Sequence, residues 1–424
     1  QRLAVRVAVL GAWHLGAVVA AVNASWGRAV AVWDRDRPTR EALSTGRAMV
    51  REPGLDELLQ GAGARLNITD DAGSAIAGAD TVVIAYDTPV NERDELDLSP
   101  VDEALQLAVL HADPGCLIVV HSQVPVGFTR ERTSRLVTAQ RKDLLISVTP
   151  ENLRLGEALL AFQEPGHLAI GADTPAAHAK SETFWGPCAA DLVRTDPSTA
   201  EMSKHIINAV LATSTALGNE LGTMSAAEGA DPTQAALLAK RDARLARLPI
   251  VPGLPVGGGT LARDLRLAAE HLGPASLAHA AVESGEKRIE TITESLARSC
   301  GPIAILGLTY KTGTSATRRS AGVTLARNLA AKGLEVRVFD PSVADEANPL
   351  AGVSGVAIAQ SLSAAIAGAR TVAMTTAHRA WCDDDVIAGL DRTDCTIHDL
   401  VGVFQFDTIA WSRSRYRGPS DIAD

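Results

Sequence analysis

The chain has 424 residues, 46% of them apolar and 21% charged, which is the balance of a globular protein too long for one compact core. No run reaches the ~18 consecutive apolar residues of a bilayer span, and a net charge of −10 argues against nucleic acid as a main partner. Strand-like runs and alanine-rich helical stretches then alternate from the start. Leu3–Leu10 reads as a strand ending in Gly11, a helix follows, and Ala29–Trp33 reads as a second strand closed by Asp34. Ala79–Ala85, Cys116–His121 and Leu144–Val148 are further strands with helical sequence between them. That alternation predicts a parallel, doubly wound sheet. Residues 197–298 lose the alternation, and Thr199–Glu228 reads as one long, mostly apolar helix, buried or at a subunit interface. Near Cys300 the texture restarts: Pro302–Leu306 runs into Gly307, a helix covers about 321–331, Val336–Phe339 ends at Asp340, and Thr371–Thr375 parallels Thr81–Ala85. The fold expected is α/β, two Rossmann-like doubly wound domains (1–196 and 299–424) joined by a helical connector (197–298).

The five cysteines, Cys116, Cys188, Cys300, Cys382 and Cys395, form no CxxC pair, so neither a disulfide framework nor structural zinc is expected. The histidines show no ligand spacing, and no metal is expected. No basic, apolar leader opens the sequence, which leads to the expectation of a cytoplasmic protein.

The first strand turns into its helix through Gly11-Ala12-Trp13-His14-Leu15-Gly16. A dinucleotide fingerprint has glycine at three places there, the middle one letting backbone approach the pyrophosphate, and an acid at the end of the second strand. Both outer glycines stand, Trp13 replaces the middle one, and Asp34 is placed to accept hydrogen bonds from ribose hydroxyls. A carboxylate there favours NAD over NADP, although Arg35 and Arg37 lie close in sequence. The turn is read as the NAD site through Gly11, Trp13, His14, Leu15, Gly16 and Asp34.

Further segments resemble the UDP-glucose/GDP-mannose dehydrogenase family. They are, in order, Arg51-Glu52-Pro53-Gly54-Leu55; Thr88-Pro89 with Asp97; Ser122-Gln123-Val124-Pro125-Val126-Gly127; and Pro150-Glu151-Asn152-Leu153-Arg154-Leu155-Gly156. Glu201-Met202-Ser203-Lys204 with Asn208, Gly257 to Asp264, and Gly307-Leu308-Thr309-Tyr310-Lys311 complete the set, in family order along the whole chain. The resemblance implies a homodimer with an N-terminal NAD domain, a central helical interface and a C-terminal sugar-nucleotide domain. It implies oxidation of a sugar's primary alcohol, twice, with two NAD and a cysteine that traps the aldehyde. Onto this sequence it carries Thr88, Pro89, Ser122 and Arg318 as cofactor contacts. Glu151, Leu153, Arg154, Lys204, Asn208, Arg244, Gly257, Gly258 and Lys311 become substrate contacts, Arg244 reaching a neighbouring subunit's site.

Lys204 and Asn208 are four apart, so a helix presents both from one face. An ammonium and a carboxamide there can donate to a developing alkoxide, each worth on the order of 3 kcal/mol in a dry site. By resemblance Asp264 holds a catalytic water and Glu151 is an acid/base; Asp264 would also suit a helix N-cap ahead of LRLAAEHL. Thr260 stands where the family has its nucleophilic cysteine, and a hydroxyl is far harder to ionise than a thiol. Gln123 and Leu155 depart from the family pattern as well. The expectation is hydride transfer at one alcohol carbon of a nucleotide sugar or similar phosphorylated or anionic alcohol, without a covalent thiohemiacetal and in a specialised natural-product pathway. Three other readings stay open: the full four-electron dehydrogenase, an NAD-retaining epimerase or isomerase, and a non-catalytic nucleotide-sugar binder.

Overall fold

The structure, a computed structural model, describes residues 5–88, 96–141, 143–298, 301–343, 348–383, 390, 395–403 and 416–418. Two compact units divide it, Gln1–Ile206 and Ile207–Asp424, and the division falls inside a single 31-residue helix, Pro197–Ala227. Among the described residues no helix is long and apolar enough to cross a membrane.

The first unit is built on eight strands: β1 (Arg6–Leu10), β2 (Ala29–Trp33), β3 (Leu66–Ile68), β4 (Thr81–Ile84), β5 (Leu117–Val120), β6 (Leu145–Val148), β7 (Gly166–Gly171) and β8 (Ala190–Thr195). They pair in the order β3-β2-β1-β4-β5-β6-β7-β8. Valine, isoleucine and leucine dominate β1, β4 and β5, as strands covered on both faces require. Alternate residues feed two cores. Val7, Val9 and Val83 pack with the helix Leu15–Ser25, while Ala8, Leu10, Val82 and Ile84 pack with the helix Ser99–His111. Leu15–Ser25 is apolar nearly all round, and every residue from Leu15 to Ala24 is buried, as such a helix demands.

The strands expected from sequence pair in parallel, and β7 joins them antiparallel to β6. The cause is the connection. A parallel crossover must carry the chain back along the full strand. The only helix between these strands, Ala158–Gln163, has six residues and spans ~9 Å. The chain therefore re-enters the sheet from the edge it left, and the Pro150–Gly156 segment stays at the carboxyl ends of the strands. Strands β3, β7 and β8 did not stand out in sequence: β3 has three residues, and in β8 only Ala190 and Leu192 pack on the core while Asp191, Val193 and Arg194 are exposed.

The second unit repeats the arrangement with six parallel strands: β9 (Ile303–Leu306), β10 (Val336–Phe339), β11 (Val356–Ile358), β12 (Thr371–Met374), β13 (Thr396–Asp399) and β14 (Tyr416–Arg417). Their order is β11-β10-β9-β12-β13-β14. Ala212 and Ala216 of the long helix pack with Leu265 and Ala269 of the helix Leu261–Leu272 and with Ala278 and Ala281 of the helix Leu277–Ala297. Small residues let these helices approach closely. Gly218 and Gly222 serve the same end: a Cβ at either would lie 2.6 Å from the Ile250 carbonyl oxygen or 2.4 Å from the Pro252 ring.

Candidate active site

In the first unit the candidate residues gather where strands end. Open α/β sheets bind ligands at those carboxyl ends, beside the point where strand order reverses. Here β1 and β4 flank that point. Gly11 leaves β1 with φ +96°, and a Cβ there would sit 2.8 Å from the Tyr86 nitrogen. At Gly16 a Cβ would collide with the Gly11 carbonyl oxygen. Only glycine fits either position, so the turn has the backbone that the fingerprint requires. Trp13 does not fill it: the indole is 49% exposed. Asp34 is buried at the end of β2, where Oδ2 accepts the Ala12 N–H at 2.6 Å and Oδ1 the Asp36 N–H at 2.8 Å. Burial pushes its carboxyl above the ordinary range. Turn and acid together fit a bound dinucleotide, with Asp34 placed for the ribose and the opening of the helix Leu15–Ser25 for the diphosphate.

His14 is turned away from that role. Its Nε2 lies 2.9 Å from Oε1 of Glu52, and only its backbone N–H faces the turn, meeting Asp87 Oδ2 at 3.3 Å. Leu15 is buried in the core as the first helical residue. Thr88 donates from Oγ1 to the Gln123 carbonyl at 3.0 Å, joining the ends of β4 and β5, and Ser122 is fully buried beside Ile84. Pro89 lies outside the described residues.

Glu52 shows what the Glu-Pro-Gly-Leu segment does. Its buried carboxylate accepts the Gly156 N–H at 2.8 Å and the Ala158 N–H at 3.3 Å besides the His14 ring. It thereby ties the segment after β6 to the fingerprint turn. Within that segment Glu151 Oε2 accepts the Leu153 N–H at 2.6 Å, and Oε1 lies 3.5 Å from the Lys204 ammonium. Lys204 also donates to Asn152 Oδ1 at 3.2 Å and is buried. A buried ammonium is costly unless paired, and Glu151 and Asn152 supply the pairing. His121 is buried, donates from Nδ1 to the Thr149 carbonyl, and is held toward its neutral form by burial. Leu153 packs on the core, whereas Arg154 is exposed, 3.9 Å from Glu157.

Along one face of the long helix, at helical spacing, Glu201, Lys204, Asn208, Ala212, Ala216 and Asn219 are buried. Glu201 anchors its first turn, accepting the Thr129 N–H at 2.9 Å and the Gly127 N–H at the start of the helix Phe128–Gln140.

In the second unit Asn208 donates from Nδ2 to Asp264 Oδ2 at 2.6 Å, and Arg263 Nε donates to Asp264 Oδ1 at 2.9 Å. All three are buried. Each carboxylate oxygen thus has a donor. Asp264 is not a helix N-cap, which corrects that alternative: the helix starts at Leu261, and Thr260 is its cap residue. Thr260 is exposed, forms no side-chain capping bond, and accepts the Asp264 N–H at 3.0 Å through its carbonyl. Gly257 and Gly258 leave room for neighbours. A Cβ on Gly257 would lie 2.8 Å from the Arg319 carbonyl oxygen, and one on Gly258 (φ +79°) 2.8 Å from the Tyr310 ring. Lys311 is half-buried and Arg318 exposed in the segment after β9. Arg244 is exposed and paired with Asp242 at 2.6 Å.

Sequence reasoning passed over Asn152, Arg263 and Asp87. Only Asp87 left a signal, a carboxylate immediately after a strand that neighbours the fingerprint strand. Among the described residues no group of acids, histidines or cysteines could hold a metal ion.

Comparison with known proteins gives three family matches. They are the NAD binding domain of the UDP-glucose/GDP-mannose dehydrogenase family over residues 5–188, its central domain over 198–287 and its UDP binding domain over 304–404. The chain is 31% identical to a UDP-glucose 6-dehydrogenase of Pseudomonas aeruginosa over 79% of each chain. It is 28% identical to one of Rhizobium meliloti over 97% of this chain and 98% of that protein. The solved structure of a UDP-glucose dehydrogenase from Pyrobaculum islandicum superposes with a TM-score of 0.84 at 27% identity, covering 94% of each chain. With this fold, this turn and these matches, the chain belongs to the UDP-glucose/GDP-mannose dehydrogenase family and is an NAD-dependent oxidoreductase of CH–OH donors.

Proposed function

We propose that the protein oxidises one alcohol carbon of a nucleoside-diphosphate sugar by two electrons, without a covalent enzyme intermediate. The observation that carries this reading is the pair on the long helix: Lys204 and Asn208 are buried on one face, each held by a carboxylate. When bound, NAD supplies the hydride acceptor. The Lys204 ammonium, paired with Glu151 and Asn152, holds the substrate oxygen and stabilises its negative charge as the C–H bond breaks. Glu151 takes the alcohol proton. Its Oε1 is the carboxylate oxygen beside Lys204, while Asp264 has one oxygen on Asn208 and the other on Arg263. Asp264 is therefore a positioning residue, fixing the Asn208 amide. Asp34 takes the ribose of the cofactor. Lys311 serves the sugar nucleotide, a role supported by the UDP binding domain match over residues 304–404, and Gly257 and Gly258 line the same ligand in this reading.

Thr260 supports the missing covalent step. Its hydroxyl would need a base in contact, and it sits exposed at a helix start with its carbonyl, not its side chain, engaged. The test is stoichiometry on a panel of UDP-glucose, UDP-N-acetylmannosamine and GDP-mannose. One NADH per sugar consumed, with an aldehyde trapped by hydroxylamine, is expected with one member. Two NADH and a uronic acid would overturn the two-electron reading, and no turnover with any member would overturn the substrate class. The Thr260→Cys variant should still form little acid, because Gln123 and Leu155 also differ.

The chain works as a homodimer in this reading. Met202, Ile206, Val210, Leu217, Leu221 and Met224 form an exposed apolar stripe along the long helix, the surface that a second copy would cover.

A further inference from the structure

The N–H groups that open the helix Leu15–Ser25 are aimed at a carboxylate of the chain itself. Asp87 follows β4, the strand beside β1, and its Oδ2 accepts the His14 N–H at 3.3 Å, with the Leu15 N–H directed at the same group. A helix N-terminus attracts anions, and in a dinucleotide fold the cofactor diphosphate takes this position. The turn is closely packed, since a Cβ on Gly11 would meet the Tyr86 nitrogen at 2.8 Å and one on Gly16 the Gly11 carbonyl oxygen. We propose that Asp87 occupies the diphosphate seat from within, competing with NAD for the His14 and Leu15 N–H groups, and so limits how tightly the cofactor is held. The proposal rests on reading this turn as the NAD seat.

The surroundings of Asp87 give the competition a direction. The charged and titratable groups around it are His14 in the turn, whose ring pairs with Glu52, and Glu151 in the segment after β6, which pairs with Lys204. Burial is the largest influence and raises the Asp87 carboxyl to about 6; His14 opposes the rise and Glu151 adds to it. The free protein therefore carries a charged Asp87 at neutral pH. A diphosphate on the same N–H groups disfavours that charge further, so the carboxyl titrates higher in the bound state and binding takes up a proton. Affinity is then greatest below the free-state value and falls as pH climbs to the higher bound-state value. Beyond that it is flat. Each unit separating the two values weakens binding roughly tenfold on the alkaline side.

The test is calorimetric titration of NAD into the full chain and its Asp87→Asn and Asp87→Ser variants, from about pH 5.5 to about pH 8.5, in two buffers of different ionisation enthalpy. The unaltered chain should lose affinity with rising pH and take up a proton near neutrality. Both variants should bind roughly tenfold tighter than it near the alkaline end, with no pH slope and no proton uptake. Variants that bind no tighter and keep the slope would overturn the role of Asp87. So would a slope that vanishes in His14→Gln and persists in Asp87→Asn, since the titrating group would then be the histidine. If none of these proteins bound NAD at any pH, the seat itself would be wrong and the competition with it.

Discussion

At the scale of single residues, the chemistry assigned here depends on donors that cannot relax into water. Lys204 is buried against Glu151 and Asn152, so its ammonium is already in place when an alkoxide forms. Lys204→Ala should lower kcat by ~100- to 1,000-fold with KM changed only a few-fold, because the lost interaction belongs to the transition state. Steady-state kinetics on the active sugar nucleotide checks this, and an unchanged kcat would remove Lys204 from the mechanism. The residue pairings were only half legible. Lys204 and Asn208 declared themselves through helical spacing. That Asp264 is clamped by Arg263 from the neighbouring position depends on rotamers that no spacing encodes.

At the scale of elements, carboxylates act as fasteners. Glu201 ties the long helix to the helix Phe128–Gln140, and Glu52 ties the fingerprint turn to the segment after β6. Glu52→Ala leaves the Gly156 and Ala158 N–H groups without their acceptor at a cost of ~2–4 kcal/mol, which should lower the thermal midpoint by about 2–4 °C for each kcal/mol. Glu52→Gln keeps one carbonyl acceptor and should lose less. Calorimetry of the two variants separates this role from a purely catalytic one, which would leave both midpoints unchanged. The strands of both sheets that sequence singled out were those with long apolar runs. The antiparallel β7 was not among them, since direction follows from how far the preceding connection reaches.

At the scale of the whole molecule, two units repeat one device. In the first, Asp34 at the end of β2 accepts the Ala12 N–H; in the second, Asp340 at the end of β10 accepts the Leu308 and Thr309 N–H groups at 2.6 and 2.9 Å. Gly322 lies against Gly307 as Gly16 lies against Gly11. The duplication suspected from matching sequence textures therefore extends to matching turns. Assembly belongs to this scale too. Val210→Asp or Leu217→Asp places a charge in the exposed stripe of the long helix and should convert a dimer to monomer at micromolar concentration, read by light scattering. Unchanged particle mass in both variants would place any subunit contact elsewhere.

The sequence by itself determined the alternation of strands and helices, the fingerprint-like turn after the first strand, the long central helix and the family to which the chain belongs. Each is written in short stretches, as apolar periodicity, as glycines where no Cβ fits, or as motifs in a fixed order. Only the tertiary structure decided which partner each buried charge takes: Lys204 with Glu151 and Asn152, Asp264 with Arg263 and Asn208, and Asp87 with the opening of the first helix. Those choices bring together strand ends far apart along the chain. In a medium that penalises an unpaired charge, they follow from where the fold sets each backbone, not from any local pattern.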